Sequence, residues 1–433
     1  MKKYIKLGIP FILFFICIIL YVLVPNVWSI SRQAARVTQS VAAQYQLTDK
    51  VDAFNIRQVI TVDSTTSRTI MWQSDLAEKN AVIEYRQKNT DTILTMPASN
   101  EIFNDDKTTT YIHAAELSHL TAGSRYEYRV GYDKKRSEWL PLSLASGNTF
   151  KVLIFPDSQS SNYDVWRDTA QAAWSANRDA QFFINMGDLV DNGEDHTQWN
   201  LWFEAVENII SAIPIAPVMG NHETYDQNWK VRMPTAYLHM FNVPNAVPDL
   251  YQNQFYSFDY GNIHFVVLNT QITEMSQFQP HLLEDEINWF KTDMAHTNKK
   301  WKIVLMHKDP LQYAFQNRPQ PRTEGFSAEG KEFMPLFDAY NIDVVLSAHL
   351  HTYRNRGHIR NFQRDNTGPL YILTGVAGNV RYPELWKQHS LDEVIAPQPE
   401  TDNYLTMEAG EHTLTFSSYL PNGQKIDAIS INK

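Results

Sequence analysis

The chain has a single cysteine, Cys17, and it lies inside an apolar run near the N-terminus. Everything beyond that run lacks cysteine, so no disulfide can brace it. Its stability must come from burial or from bound metal. An excess of positive charge is also missing: the net charge is −10 over 433 residues. That excludes binding to a nucleic-acid scaffold through bulk electrostatics. A small anionic substrate stays compatible, provided that positive charge is concentrated at one site. Apolar residues are not scarce, at 43% of the chain, which is ample for packed cores. A prior of roughly 150 residues per domain divides this length into two or three domains.

Charge is absent altogether from residues 7–24, LGIPFILFFICIILYVLV. At about 1.5 Å per helical residue this run spans roughly 27 Å, close to a bilayer core of about 30 Å. The apolar region of a cleaved signal is usually only about 7–15 residues and ends at small residues. Here the run ends in PNVWSIS, a poor cleavage site. An uncleaved membrane anchor is therefore expected over residues 1–28, in preference to a cleaved signal of a secreted protein. Lys2, Lys3 and Lys6 precede it, which puts the N-terminus in the cytoplasm and the rest outside. Residues 29–51 follow as a stalk or linker. Residues 29–47 lack glycine and proline, and Ile30, Ala34, Val37 and Val41 fall at helical spacing.

From residue 52 to 147 the pattern is one of short alternating strands, such as FNIRQVITV, TIMWQSD and AVIEYRQ. Leu117 and Leu120, then Gly123 and Tyr126, resemble the tyrosine corner of immunoglobulin-like sandwiches. The segment resembles a fibronectin type III-like module. Residues 148–433 change period again. KVLIFPD, AQFFINMGD, IPIAPVMGN, WKIVLMH and DVVLSAH are continuous apolar runs, as in strands covered on both faces. Helical stretches are expected near 163–177, 199–211, 282–295 and 329–339, which makes parallel βαβ units. A hairpin is expected to turn at Tyr260-Gly261-Asn262, and another at Asn422-Gly423.

Each buried run ends in residues that can bind a cation. The runs deliver Asp157, Asp188, Asn221 with His222, His307, and His349 with His351. Ligands of open α/β sheets collect outside the carboxyl ends of the strands. A single aspartate after a strand is commonly a turn or helix cap, and a lone histidine is commonly a satisfied core or surface residue. An ordered series along one rim is a mixed oxygen and nitrogen donor set, suited to Mn, Fe, Zn or Co.

These residues resemble the calcineurin-like metallophosphoesterases. The family pattern D-x-H, G-D-x-x-D, G-N-H-E, a lone His after a strand and G-H-x-H corresponds to DSQ, GDLVD, GNHE, MH and AHLH. With the preceding sandwich, the arrangement is similar to the purple acid phosphatases. The resemblance implies an α/β metallophosphoesterase domain of layered sheets flanked by helices, preceded by an all-β sandwich. It also implies one metal on Asp157, Asp188 and His351, and a second on Asp188, Asn221, His307 and His349, with Asp188 as the bridge. His222 would protonate the leaving group. The two divalent ions (Mn, Fe or Zn) would acidify a water and neutralise phosphoryl charge.

Two departures stand out. Asp191 occupies the position of the tyrosinate ligand of purple acid phosphatases, so the coloured iron-tyrosinate site is not expected. Gln159 replaces the histidine of D-x-H, and is either a weak amide ligand or a loop brace. Arg354 is a candidate phosphate contact. The expected activity is hydrolysis of phosphorylated small molecules, monoesters in preference to diesters. A nucleotide or phospholipid diesterase and a non-catalytic surface binding protein are the alternatives.

Overall fold

The computed structural model describes residue 38 and residues 51–433, other than 78–79, 245–246, 316–321, 383–387 and 398–399. The anchor expected over residues 1–28 and the stalk expected over 29–51 fall outside these, apart from residues 38 and 51. Among the described residues no helix is long and apolar enough to cross a membrane.

Two sheets face each other in the larger domain. One contains Ile263–Leu268, Trp301–Met306, Val344–Ser347 and Leu370–Thr374, paired in parallel in that order. Alternation along these strands sends side chains to opposite faces. Phe265, Ile303, Leu305, Val344, Leu346 and Ile372 enter the core between the sheets. Val266, Val304, Met306, Val345 and Tyr371 point the other way, against Phe290 of the helix Leu282–His296 and Phe333 and Phe337 of the helix Ala328–Ala339. Both faces are dry, which is why these strands read as unbroken apolar runs. Ser327 starts the second helix, its hydroxyl accepting the N–H of Gly330 at 3.0 Å.

The other sheet contains Phe150–Phe155, Ala180–Asn185 and Ile215–Pro217, again parallel. The C-terminal strands Tyr404–Ala409, Thr413–Tyr419 and Lys425–Asn432 extend one side of it. Its other side does not stop at the domain boundary expected near residue 148. Val59 pairs in parallel with Ile215, and the Ile60 N–H donates to the Ile215 carbonyl at 3.0 Å. The strands Phe54–Val59, Arg68–Ser74, Thr108–Leu117 and Ser99–Asp105 therefore continue one ten-stranded sheet. A separate five-stranded sheet around Ala81–Gln87 and Arg125–Tyr132 closes over them as a β-sandwich with its own core of Ile70, Trp72, Ile83, Leu117, Tyr128 and Val130. Tyr126 Oη accepts the Thr121 N–H at 3.0 Å, the hydrogen bond of a tyrosine corner.

The hairpin Tyr256–Tyr260/Ile263–Leu268 is clamped by charge. His264 Nδ1 lies 2.8 Å from Asp259 Oδ1, and Nε2 lies 2.8 Å from Asp293 Oδ2 on the helix Leu282–His296. Burial pushes the imidazole pKa down, but the two carboxylates outweigh it and raise it to about 9. A raised histidine contributes stability that is complete below its unfolded value of about 6.5 and is lost as pH rises through about 9. His264→Gln should therefore cost on the order of 2 kcal/mol near pH 6. The difference from wild type should close near pH 10 in denaturant titrations; a gap independent of pH would rule out the charged clamp.

Candidate metal centre

The carboxyl ends of both sheets' parallel strands meet at one rim. Asp157 follows Phe150–Phe155, Asp188 follows Ala180–Asn185, and Asn221 and His222 follow Ile215–Pro217. From the facing sheet, His307 follows Trp301–Met306, and His349 and His351 follow Val344–Ser347. The turns that carry them are tight. Asp188, His349 and His351 have φ of 47°, 76° and 52°, left-handed conformations that ordinary residues avoid. Gly187 and Gly220 supply the clearance: a Cβ on the first would collide with the His307 ring, and on the second with the Asp188 carboxylate.

Two groups of ligand atoms result. Asp188, His307 and His349 place one ligand atom each within 4.8 Å of one another, and so do Asp157, Asp188 and His351. Asp188 belongs to both. Its Oδ2 lies 3.2 Å from His307 Nε2, and Asn221 Oδ1 is 3.2 Å from that same nitrogen. Asp157 Oδ1 is 3.4 Å from His351 Nε2, and both Asp157 oxygens accept the His349 N–H, at 3.1 and 3.0 Å. His307 Nδ1 donates to the Met186 carbonyl at 3.0 Å and His351 Nδ1 to the Val380 carbonyl at 2.9 Å. These bonds turn both Nε2 atoms toward the centre, as in metal-ligating histidines.

The donor set fits cations on a further ground. His349 Nδ1 is buried without a hydrogen-bond partner, and so are both amide atoms of Gln159. Burial and the neighbouring His307 push the His349 imidazole well down, which keeps it neutral and able to ligate. Burial opposes charge on Asp188, but His307 and His222 hold its carboxyl well below the usual range.

His222 is placed differently. Its Nδ1 donates to the Asp191 carbonyl at 2.7 Å, which leaves Nε2 facing the centre, 4.0 Å from Asp188 Oδ2. Burial lowers its pKa, but Asp188 and the Asp191 carbonyl outweigh this and the net direction is upward.

Purple acid phosphatase relationship is decided by two matches laid over this geometry. Residues 150–353 match the calcineurin-like phosphoesterase family and residues 54–143 the purple acid phosphatase N-terminal domain. The chain carries a calcineurin-like phosphoesterase domain preceded by a purple acid phosphatase N-terminal domain. It is 28% identical to purple acid phosphatase 23 of Arabidopsis thaliana, over 42% of this chain and 38% of that protein. With purple acid phosphatase 21 of Arabidopsis thaliana it shares 25% identity over 62% of this chain and 58% of the relative. Acid phosphatase type 7 of Mus musculus is 26% identical, over 64% and 68%. The chain thus spans less than two thirds of the length of the Arabidopsis relatives. Its fold is shared with a purple acid phosphatase from yellow lupin (Lupinus luteus) seeds, at a TM-score of 0.72 and 16% identity, covering 88% of this chain and 74% of that one. PhoD superposes with a TM-score of 0.62 at 12% identity, over 87% and 92%. The N-terminal sandwich is accordingly of the purple acid phosphatase type, not a fibronectin type III domain by name.

Arg354, read from sequence as a phosphate contact, does not join the centre. It is 2% exposed. Its Nε lies 3.6 Å from Asp392 Oδ2, and its Nη2 4.0 Å from Glu400 Oε1. The burial of Tyr353–Arg360 within a sheet turns this side chain into an internal ion pair. Conversely, Glu223 had no assigned role, although it is the last letter of GNHE. It is buried, and its carboxylate accepts N–H groups from Asp188 at 3.0 Å, Leu189 at 2.8 Å, Val190 at 3.3 Å and Gly220 at 2.7 Å. It locks two ligand loops together.

Gln159 lies two residues from Asp157, and its backbone N–H donates to the Asp188 carbonyl at 2.9 Å, while its side-chain amide is unpaired. Replacing it with histidine adds a borderline nitrogen donor. Gln159→His should raise the metal retained per chain after dialysis against a chelator, most for Zn. Metal content by mass spectrometry that stays level or falls would show that position 159 only braces the loop.

Proposed function

We propose that this protein hydrolyses phosphate monoesters with two divalent metal ions, one on Asp157, Asp188 and His351 and the other on Asp188, Asn221, His307 and His349. The observation that carries the reading is the pair of ligand groups sharing one buried carboxylate, with a histidine beside them that belongs to neither. Such ions, when bound, lower the pKa of water and neutralise charge on a phosphoryl group. That supplies the concentrated positive charge that a chain of net charge −10 otherwise lacks.

The chain's own residues do the rest. Asp188, shared by both groups, fixes their separation. Glu223 holds the Asp188 loop against the Gly220 loop, so the ligands are positioned before substrate arrives. The Asp191 carbonyl fixes the tautomer of His222 and aims Nε2 at the centre. As the imidazolium, which Asp188 and the Asp191 carbonyl favour, His222 then delivers its Nε2 proton to the departing ester oxygen and is left neutral. With aspartate at position 191, no tyrosinate is available there to colour an iron centre.

His222→Ala should retain metal and lose rate. The loss should be roughly 10²–10⁴-fold on a poor leaving group such as glycerol. It should be smaller on p-nitrophenolate, which needs little protonation. An equal loss on both substrates would exclude the proton-donor role.

The reading also places the catalytic domain outside the cell, anchored through residues 7–24. The uncharged run and the lysines at positions 2, 3 and 6 support this. The full-length protein should resist alkaline extraction from membranes and be shortened by protease added to intact cells. An intact soluble form beginning after residue 24 would point to secretion instead.

A further inference from the structure

Trp229 stands beside the proton donor with most of its surface in water. It is 56% exposed, the only tryptophan among the exposed large apolar side chains of the described residues. A single exposed apolar residue is ordinary, but the backbone here is not. Trp229 has φ of 61°, an outlier for a bulky side chain. Strain of this kind persists only where the surroundings enforce it.

The enforcement is visible. Tyr225 and Val231 form a bridge that closes a small loop. Within it, Asp226 Oδ1 accepts the N–H groups of Asn228 and Lys230, each at 2.8 Å. The Asp226 carbonyl accepts the Trp229 N–H at 2.9 Å, and the Asp226 N–H donates to the Lys230 carbonyl at 2.8 Å. The loop thus presents the indole at a set position.

That position is next to the chemistry. The Trp229 and His222 rings lie 5.7 Å apart between centroids, at 87°. Tyr225 packs edge-on against His222 at 5.8 Å and lies 6.0 Å from Trp229. Tyr382 lies 4.8 Å from His351 between ring centroids. A leaving group that receives its proton from His222 therefore departs beside an exposed, fixed aromatic surface.

We propose that Trp229 is a leaving-group subsite, and that it selects phosphate esters whose aromatic ring is attached directly to the ester oxygen. An aryl ring on the oxygen that faces His222 lies within one ring's width of the indole and can stack on it. A nucleobase is held away from its phosphate by the sugar and falls outside that reach. The subsite rests on the proposed hydrolase reading, and the test separates the two.

The probes are benzylphosphonate and ethylphosphonate, binding to the Mn-loaded full chain, measured by calorimetry. Wild type should bind the benzyl compound about tenfold more tightly, the scale of one aromatic stack. Trp229→Ala should bring that ratio near unity, and Trp229→Phe should keep most of it. In turnover, the ratio of kcat/KM for phenyl phosphate over glycerol phosphate should fall about tenfold in Trp229→Ala. A benzyl preference that is absent in wild type, or that survives in Trp229→Ala, overturns the subsite even if hydrolysis proceeds. A loss confined to adenosine 5′-phosphate overturns the choice of aryl esters. A Trp229-dependent benzyl preference without hydrolysis of any ester supports the subsite and removes the hydrolase reading.

Discussion

Asp188 carries opposed demands that the surrounding structure has to reconcile. It is 1% exposed, in left-handed backbone, and its carboxylate belongs to both ligand groups. An unpaired buried carboxylate costs several kcal/mol. Here one side of it meets His307, and its Oδ1 accepts the His222 N–H at 2.9 Å. Its own N–H is taken by Glu223, and its carbonyl accepts from both Ser158 and Gln159. Both polar backbone groups of the residue are committed, so the side chain has little freedom to drift. The glycines at 187 and 220 follow from this arrangement, since both the His307 ring and the carboxylate occupy the space a Cβ would need.

A second buried network supports the facing sheet. Arg356 is fully buried and pairs with Asp309, while Ser347 Oγ donates to Asp309 at 3.1 Å. Tyr313 hydrogen-bonds Asp392, which also faces Arg354 and Arg356. Asp309 lies two residues after His307, and Ser347 two residues before His349. The Ser347–Asp309 hydrogen bond ties together the two strand ends that carry His307 and His349, and the Arg356 ion pair holds Asp309 in place. Arg354 falls within this network, which explains both its burial and its lack of contact with the centre.

Local chemistry was the legible part. Continuous apolar runs followed by Asp, Asn or His identify strand ends in a sheet covered on both faces. The turn at Tyr260-Gly261-Asn262 is read from its glycine, which has φ of 57°. Helix spans agree closely for Asp164–Ala176, Leu282–His296 and Ala328–Ala339, the last of which Ser327 caps. The helix expected at 199–211 is two helices: His196–Ala205, which starts early because Asp195 accepts the N–H groups of Thr197 and Gln198, and the short Glu207–Ile210 beyond a break at Val206. Arg354 was read as a phosphate contact, whereas its side chain faces Asp392 and Glu400, because sequence around a charged residue does not say whether carboxylates from distant segments will meet it in the interior. Glu223 and Trp229 were passed over for a related reason: their partners lie in other loops or in a backbone conformation that no pattern announces.

The order of ligand types along the chain was set by the sequence, because each sits at the end of its own apolar run and a strand needs only local pairing and burial to form. So were the tyrosine corner, where Tyr126 and Thr121 are five residues apart, and the single cysteine's exclusion of disulfides. That these residues form two groups sharing Asp188 was implied by family resemblance, but no single stretch of sequence shows it, since it depends on two sheets bringing their carboxyl ends to one rim. The tertiary structure alone decided that the sandwich shares a sheet with the larger domain, through Val59 and Ile215, residues 156 positions apart. Long-range pairing of this kind is chosen by the packing of whole layers, and no short stretch of sequence records it.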